Sequence, residues 1–468
     1  MKLKSVRQST GTLRGLSVLT AAALMMSQVF AVSTAEAQTL PEALSQAYDS
    51  NPTLRAARAE LRSVNENVPQ ELSNWRPNVT AGSSLGKRRS EVDSDGTDSE
   101  DSLTPFTANI DVTQPLYRGG RTIAGTERAE NEVKAQRESL RSTEQSVLLS
   151  AATSYTDVWR DQAVLQLNIS NEGVLAQQLE ATEDRFEVGE VTRTDVAQAE
   201  TRHATAVSDR IAAEGNLTSS RAVYQEVIGS FPGTLPAPPV PGDLPTAQDE
   251  IVAQATKNNP DVTSAVYTEL AAQKNVRQVT GELYPEVSLV GSLSHQDEVS
   301  SSDTETDSAS LIAQVSIPIY QQGSVSSRVR AAKQISSQRR VQIEEQRRRA
   351  EQVAVSAWEA LMTAQAQIRS FESAVASAEI ALEGVRQENE VGARTILDIL
   401  DAEQELLNSQ VSLVGAQRDE VVAGYQVLSA IGRLNAGFIG LPVEVYDVEA
   451  DYRSVRDKWF GLSAPGTE

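Results

Sequence analysis

The sequence predicts an α+β membrane protein: a trimeric 12-stranded β-barrel, four strands per chain, continued by a long coiled-coil α-helical barrel from two internal repeats. Three observations carry this expectation. The chain matches itself at a nearly constant offset. Two stretches, 116–231 and 319–441, contain no proline and are rich in Ala, Glu, Gln, Arg and Leu. Ahead of each stretch, the polarity alternates residue by residue, as it does along a strand.

The N-terminus sets the compartment. Lys2, Lys4, Arg7 and Arg14 precede the apolar run LSVLTAAALMMSQVFAV, and Ala35-Glu36-Ala37 supplies a small-residue cleavage site. This is the pattern of a secretory signal peptide over 1–37, with cleavage before Gln38. After Gln38 no segment approaches about 18 apolar residues, so no transmembrane helix is expected.

The repeat begins at Asn51-Pro52, matched by Asn259-Pro260, and Pro77 is matched by Pro285, both 208 residues on. QPLYRGG (114–120) then matches IPIYQQG (317–323) at 203, and that offset holds for Gly189 with Gly392, Asp195 with Asp398, and Ile228-Gly229 with Ile431-Gly432. The change of offset puts five extra residues between Pro77 and Pro115. The first repeat spans 38–229 and the second 249–440. Between them 230–248 is a proline-rich connector, and 441–468 forms a C-terminal tail laid along the helices, whose Tyr446, Tyr452, Trp459 and Phe460 serve as packing anchors.

Within each repeat a helix comes first, and a β-hairpin follows at about 78–117 and about 286–319. Phe106, Ala108, Ile110 and Val112 alternate with Thr107, Asn109, Asp111 and Thr113. Ala309, Leu311, Ala313, Val315 and Ile317 keep the same period in the second copy. The hairpin tips, 89–102 and 295–307, are acidic and Ser-rich, as exposed loops are. Long helices then run over 121–188 and 324–391, roughly 100 Å each at 1.5 Å per residue. Glycine turns end them, and return helices occupy 191–228 and 394–431, each opened by a Thr-x-x-Asp that supplies N-terminal acceptors. Leu400, Leu407, Val414, Val421 and Leu428 recur every seven residues, the spacing of a coiled-coil seam.

Four strands cannot close a barrel, and an open edge in lipid leaves backbone groups unsatisfied at several kcal/mol each. Two chains would give eight strands and a packed lumen, whereas three give twelve and a passage.

With these pieces in place the chain resembles the TolC-like outer-membrane efflux proteins. The resemblance rests on the Asn-Pro helices, the paired hairpins, the P-L/I-Y-x-x-G corners and above all VGARTILDILDAEQ (391–404), with its fainter copy VGEVTRTDVAQAE (188–200). It implies a homotrimeric exit duct for a tripartite efflux pump or type I secretion system, with an equatorial belt of short segments that makes 441–468 a C-terminal equatorial tail. Its partners would be a periplasmic adaptor (membrane fusion) protein, an inner-membrane pump or ABC exporter, and outer membrane lipids.

The resemblance also implies site residues. Asp398 and Asp401 would line the closed periplasmic gate, where three chains bring six carboxylates together, raise some of their pKa values and attract cations. From the residues alone, the pair reads equally as solvated acids at a helix start, where the dipole favours them. Arg394 and Asp195 would latch the gate. Asn389 stands where the family has a tyrosine, so the latch is weaker or rearranged. Val188, Gly189, Thr192, Val391, Gly392 and Thr395 would form the tips that meet the adaptor. Lys87, Arg88 and Arg89, ending the first strand, are expected at outer-leaflet phosphates or simply in water.

Composition excludes other classes. The 468-residue chain carries a net charge of −22, and removal of 1–37 leaves 38 basic against 63 acidic residues, or −25. That balance argues against nucleic-acid binding. No cysteine is present, so thiol and disulfide chemistry are out. His203 and His295 are the only histidines and stand far apart in sequence, so neither is expected to hold a metal. No catalytic or nucleotide-binding motif occurs in its strand-turn-helix context, and no cofactor is expected. A non-channel periplasmic coiled-coil adaptor would show the helices without the paired hairpins. An ordinary porin would show many strands without the helices.

Overall fold

The computed structural model describes residues 38–94 and 97–464, with side chains placed except over 92–100. The signal segment and its cleavage site lie outside the described residues. Helices α1 (Leu40–Ser50), α2 (Pro52–Asn65) and α3 (Asn67–Leu72) lead through a 3₁₀ turn at Ser73–Trp75 into strand β1 (Asn78–Leu85). Strands β2 (Arg88–Ser94), β3 (Thr97–Leu103) and β4 (Phe106–Arg118) follow, then the long helix α4 (Arg121–Glu187) and its return α5 (Arg193–Ile228). The second half repeats the order with α6 (Gln248–Asn258), α7 (Pro260–Thr280), a 3₁₀ turn at Gly281–Leu283, β5 (Glu286–Asp297), β6 (Glu305–Ser316), α8 (Ser324–Glu390) and α9 (Ile396–Ala430). A short α10 (Val448–Arg456) closes the chain.

The Asn-Pro pairs act identically in the two halves. Asn51 accepts from the Thr53 amide at 2.9 Å, capping α2, while its Nδ2 donates to the Val227 carbonyl at 2.9 Å, near the end of α5. Asn259 accepts from the Asp261 amide at 2.9 Å and donates to the Ala430 carbonyl at 3.3 Å, at the end of α9. One side chain thus starts a helix and ties it to the last turn of the return helix of its own repeat. Proline at the first helical position costs nothing there, because its missing N–H would have had no partner.

Helices α4 and α8 have 67 residues each, and α5 and α9 run back along them as antiparallel pairs. The seams differ. In α5 the buried positions Ala199, Ala206, Ala213 and Ser220 recur every seven residues and are small, so the backbones approach closely. In α9 the buried series is Leu400, Leu407, Val421 and Leu428, with Val414 half-buried. The main core sits midway, where α1, α6 and the segment 431–441 pack onto α4, α5, α8 and α9. Its largest fully buried side chains include Tyr155 and Tyr224. The Tyr155 hydroxyl donates to the carbonyls of Gln38 (3.0 Å) and Pro236 (3.1 Å), fastening the chain start and the connector to α4. Burial raises both phenols above the ordinary tyrosine range, with each other's proximity adding at Tyr155.

The four-stranded antiparallel sheet has the order β1-β4-β5-β6, so β4 and β5 join the two repeats and β1 and β6 are its edges. Pairing register puts Val79, Ala81, Leu85, Phe106, Ala108, Ile110, Val112, Leu289, Leu293, Ala309, Leu311 and Val315 on one face. Thr80, Ser84, Thr107, Asn109, Asp111, Ser292, Ser294 and Ser308 lie on the other. Among the described residues nothing covers the apolar face: Leu311 is 73 % exposed and Leu293 57 %. Among the described residues no helix is long and apolar enough to cross a membrane.

Two features depart from the sequence expectation. The first hairpin tip is not a loop: β2 and β3 pair over their whole length as a two-stranded ribbon beyond β1 and β4. Its Ser- and Asp-rich composition has no strand propensity to read, and pairing is imposed by the strands that lead into it. The C-terminal tail is not confined to the helices' middle. Helix α10 packs on α2 and α3, and beyond it Arg76, two residues before β1, stacks over Trp459 at 4.7 Å and donates to the Lys458 carbonyl at 2.8 Å. Tyr446 and Tyr452 also anchor the tail, the first receiving Arg58 over its ring at 5.3 Å and the second Arg137 at 5.1 Å. Phe460 is 90 % exposed and anchors nothing among the described residues.

Candidate functional site

Each long helix ends in the same turn. The Gly189 amide donates to the Phe186 carbonyl (3.0 Å) and Glu190 to Arg185 (2.9 Å); in the second copy Gly392 donates to Asn389 (2.9 Å) and Ala393 to Glu388 (2.8 Å). Both glycines are left-handed, at φ of 81° and 78°. An added Cβ would meet no atom within 4 Å at either, so glycine is there for its backbone freedom rather than for space.

Thr192 and Thr395 cap the return helices, and each forms a reciprocal box with the aspartate three residues on. Asp195 accepts from the Thr192 amide and hydroxyl, both at 2.8 Å, while the Thr192 hydroxyl accepts from the Asp195 amide at 3.3 Å. Asp398 repeats this on Thr395 at 2.9, 2.7 and 3.3 Å. Two orphan amides are satisfied at each helix start. These hydrogen bonds hold both carboxyls below the usual aspartate range: the Thr192 amide first at Asp195, the Thr395 hydroxyl first at Asp398. Beside the turns Val188 and Val391 are 73 % and 80 % exposed, leaving two apolar side chains in water at the extreme end of the molecule.

Within the chain Arg394 does not meet Asp195. Its Nε donates to Glu388 at 2.8 Å and its Nη1 lies 3.7 Å from Asp398, and these acids raise its pKa further. Asn389 donates to the Arg394 carbonyl at 2.8 Å, so the position expected to hold a tyrosine fixes the turn's backbone instead. Asp398 and Asp401 also part ways, Asp398 folding back on its cap and Asp401 reaching across to Arg202 of α5. That Arg202–Asp401 pair is an ionic link between the two halves at this end, and sequence reasoning missed it. Arg202 has no counterpart at the repeat offset, and only the packing of α5 against α9 brings it near. Beneath it Leu175, Ala206, Ile396 and Leu400 form a small core with Val191 packed on it, which joins the two tips.

A family model described as outer membrane efflux protein matches residues 43–230 and again 251–433. The chain is 35% identical over 449 residues to outer membrane efflux protein BepC of Brucella suis biovar 1 (strain 1330), covering 96% of this chain and 97% of that protein. It is 26% identical over 418 residues to outer membrane protein TolC of Escherichia coli (strain K12), covering 86% and 84%. The solved CmeC outer membrane channel of Campylobacter jejuni superimposes with a TM-score of 0.75 at 16% identity, covering 89% of each chain, and shares the fold.

Proposed function

The chain belongs to the outer membrane efflux protein family, and from that premise we propose that it is the outer-membrane exit duct of an efflux pump or type I secretion system. One observation carries this: a four-stranded sheet with two open edges and an uncovered apolar face continues directly into helices of 67 residues. The apolar face suits lipid and the Ser/Thr/Asn face suits a watery lumen. Edge amides on β1 and β6 have no partner within the sheet, and pairing β6 of one copy with β1 of the next satisfies them. Three copies of four strands close a twelve-stranded barrel, and the helices beneath it form a passage without catalysis or cofactor.

The turn tips are the far, periplasmic end. Val188, Gly189, Thr192, Val391, Gly392 and Thr395 meet a periplasmic adaptor there, and the adaptor connects to an inner-membrane pump or ABC exporter. Exposed valines beside rigid glycine turns support this reading, since a docking surface is apolar and preformed. Asp398 and Asp401 line the gate, with Arg394 and Asp195 as its latch between copies. Lys87, Arg88 and Arg89, where β1 hands over to the outer ribbon, meet lipid phosphates.

Single-channel conductance of the refolded mature protein in a planar bilayer tests the reading. Expected is a small cation-selective conductance that polyvalent cations block from the tip side, with block lost in Asp398→Ala/Asp401→Ala. Arg202→Ala, Arg394→Ala or Asp195→Ala should enlarge the conductance. No channel from a folded oligomer would sink the duct. A channel indifferent to the aspartates would leave the duct and remove the gate.

A further inference from the structure

His295 on β5 lies directly opposite Asp307 on β6, and two residues on Asp297 lies directly opposite Glu305. Side chains alternate along a strand, so all four project from one face, the apolar one that carries Leu293 and Ala309. Phe106 of β4 meets the His295 ring edge-on with centres 6.1 Å apart. The His295 Nδ1 is 2.8 Å from an Asp307 oxygen and 3.8 Å from a Glu305 oxygen, and the three donor atoms all lie within 4.8 Å of one another.

This block sets three carboxylates against one imidazole. Asp297 and Glu305 face each other directly, a like-charge pairing that weakens a sheet. His295 brings at most one positive charge. A divalent cation would remove the repulsion, and the mixed donor set narrows its kind. Imidazole nitrogen with carboxylate oxygen suits zinc and its neighbours, whereas calcium and magnesium take oxygen alone. Ligands about 2.0–2.2 Å from such an ion in tetrahedral array stand about 3.4 Å apart. The present 2.8 and 3.8 Å bracket that spacing. Small rotations of exposed side chains therefore complete the geometry.

We infer that His295, Glu305 and Asp307, with Asp297 beside them, form a binding site for a divalent d-block cation such as Zn2+, which clips the outer end of the β5–β6 hairpin. The inference rests on strand register and donor chemistry, so it stands or falls separately from the duct.

The test is calorimetric titration of the untagged, detergent-solubilised full-length oligomer with Zn2+ in excess Mg2+, which fills oxygen-only sites. One site per chain is expected. Its affinity should fall by about tenfold or more in His295→Ala and in Asp307→Asn, and stay unchanged in His203→Ala, the only other histidine. With Cu2+ as a paramagnetic probe, wild type and His203→Ala should show hyperfine coupling to one nitrogen and His295→Ala none. Absence of a Mg2+-resistant site in wild type, or equal Zn2+ affinity in His295→Ala, overturns the inference.

Discussion

Asp195 and Asp398 occupy the same place in the two repeats and do the same job, each closing a box with the threonine that starts its return helix. Both carboxyls titrate below their ordinary value in the folded chain. A depressed carboxyl contributes stability above its unfolded pKa, about 3.9, and loses it as pH falls through the still lower folded value. Local opening of 188–198 and 391–401, read by amide hydrogen exchange and corrected for intrinsic rate, should thus be flat from pH 7 to 5 and rise only below about pH 4. Thr395→Ala should raise it at every pH, with about 1 kcal/mol of helix stability lost. The turn glycines and Thr-x-x-Asp boxes were legible in the sequence because their partners lie within six residues. Arg202 was not, since its partner Asp401 is 199 residues away. His295 was set aside because it stands far from His203, whereas register across a hairpin sets Asp307, 12 residues on, directly against it.

At the level of elements, the junction of sheet and helices is held by backbone contact. Gly119, at φ of 62°, follows β4 in the turn, and a Cβ there would stand 2.2 Å from the Gly281 carbonyl oxygen; one at Gly281 would stand 2.7 Å from the Gly119 oxygen. No side chain fits between these two turns, which belong to different repeats. Gly281→Ala should cost about 1–3 kcal/mol by overpacking, seen as a lower melting temperature and a loosened sheet base. Gly384→Ala in α8, where an added Cβ meets no atom of the described residues within 4 Å, should instead raise stability by about 0.5–1 kcal/mol. Equal effects would remove the close approach as the cause. Proline-free runs and seven-residue spacing announced the long helices. The β2–β3 ribbon escaped notice because a strand can be imposed by its neighbours on residues with no preference for it.

For the whole molecule, the open sheet edges are the decisive feature. Within one chain β1 and β6 are separated by two strands, about 14 Å at the usual strand spacing, too far for a disulfide. The chain has no cysteine of its own. Pairs introduced in mid-strand, such as Gly82→Cys with Ser310→Cys and their neighbours two residues away, should therefore cross-link only between copies. A ladder ending at three chains on a non-reducing gel is the expected result. Bands confined to one chain would mean that the edges do not meet in a closed ring.

The sequence by itself determined the repeat, the helix lengths, the alternating strands and the turn chemistry, because each is written in local period and in residues with strong backbone preferences. Tertiary structure alone decided which strands pair across the repeats, that Arg202 finds Asp401, that the tail climbs to Arg76, and that three acids gather around His295. Such contacts join residues on different elements, where no short period records them; the packing of apolar seams and the register of paired strands bring the polar partners together.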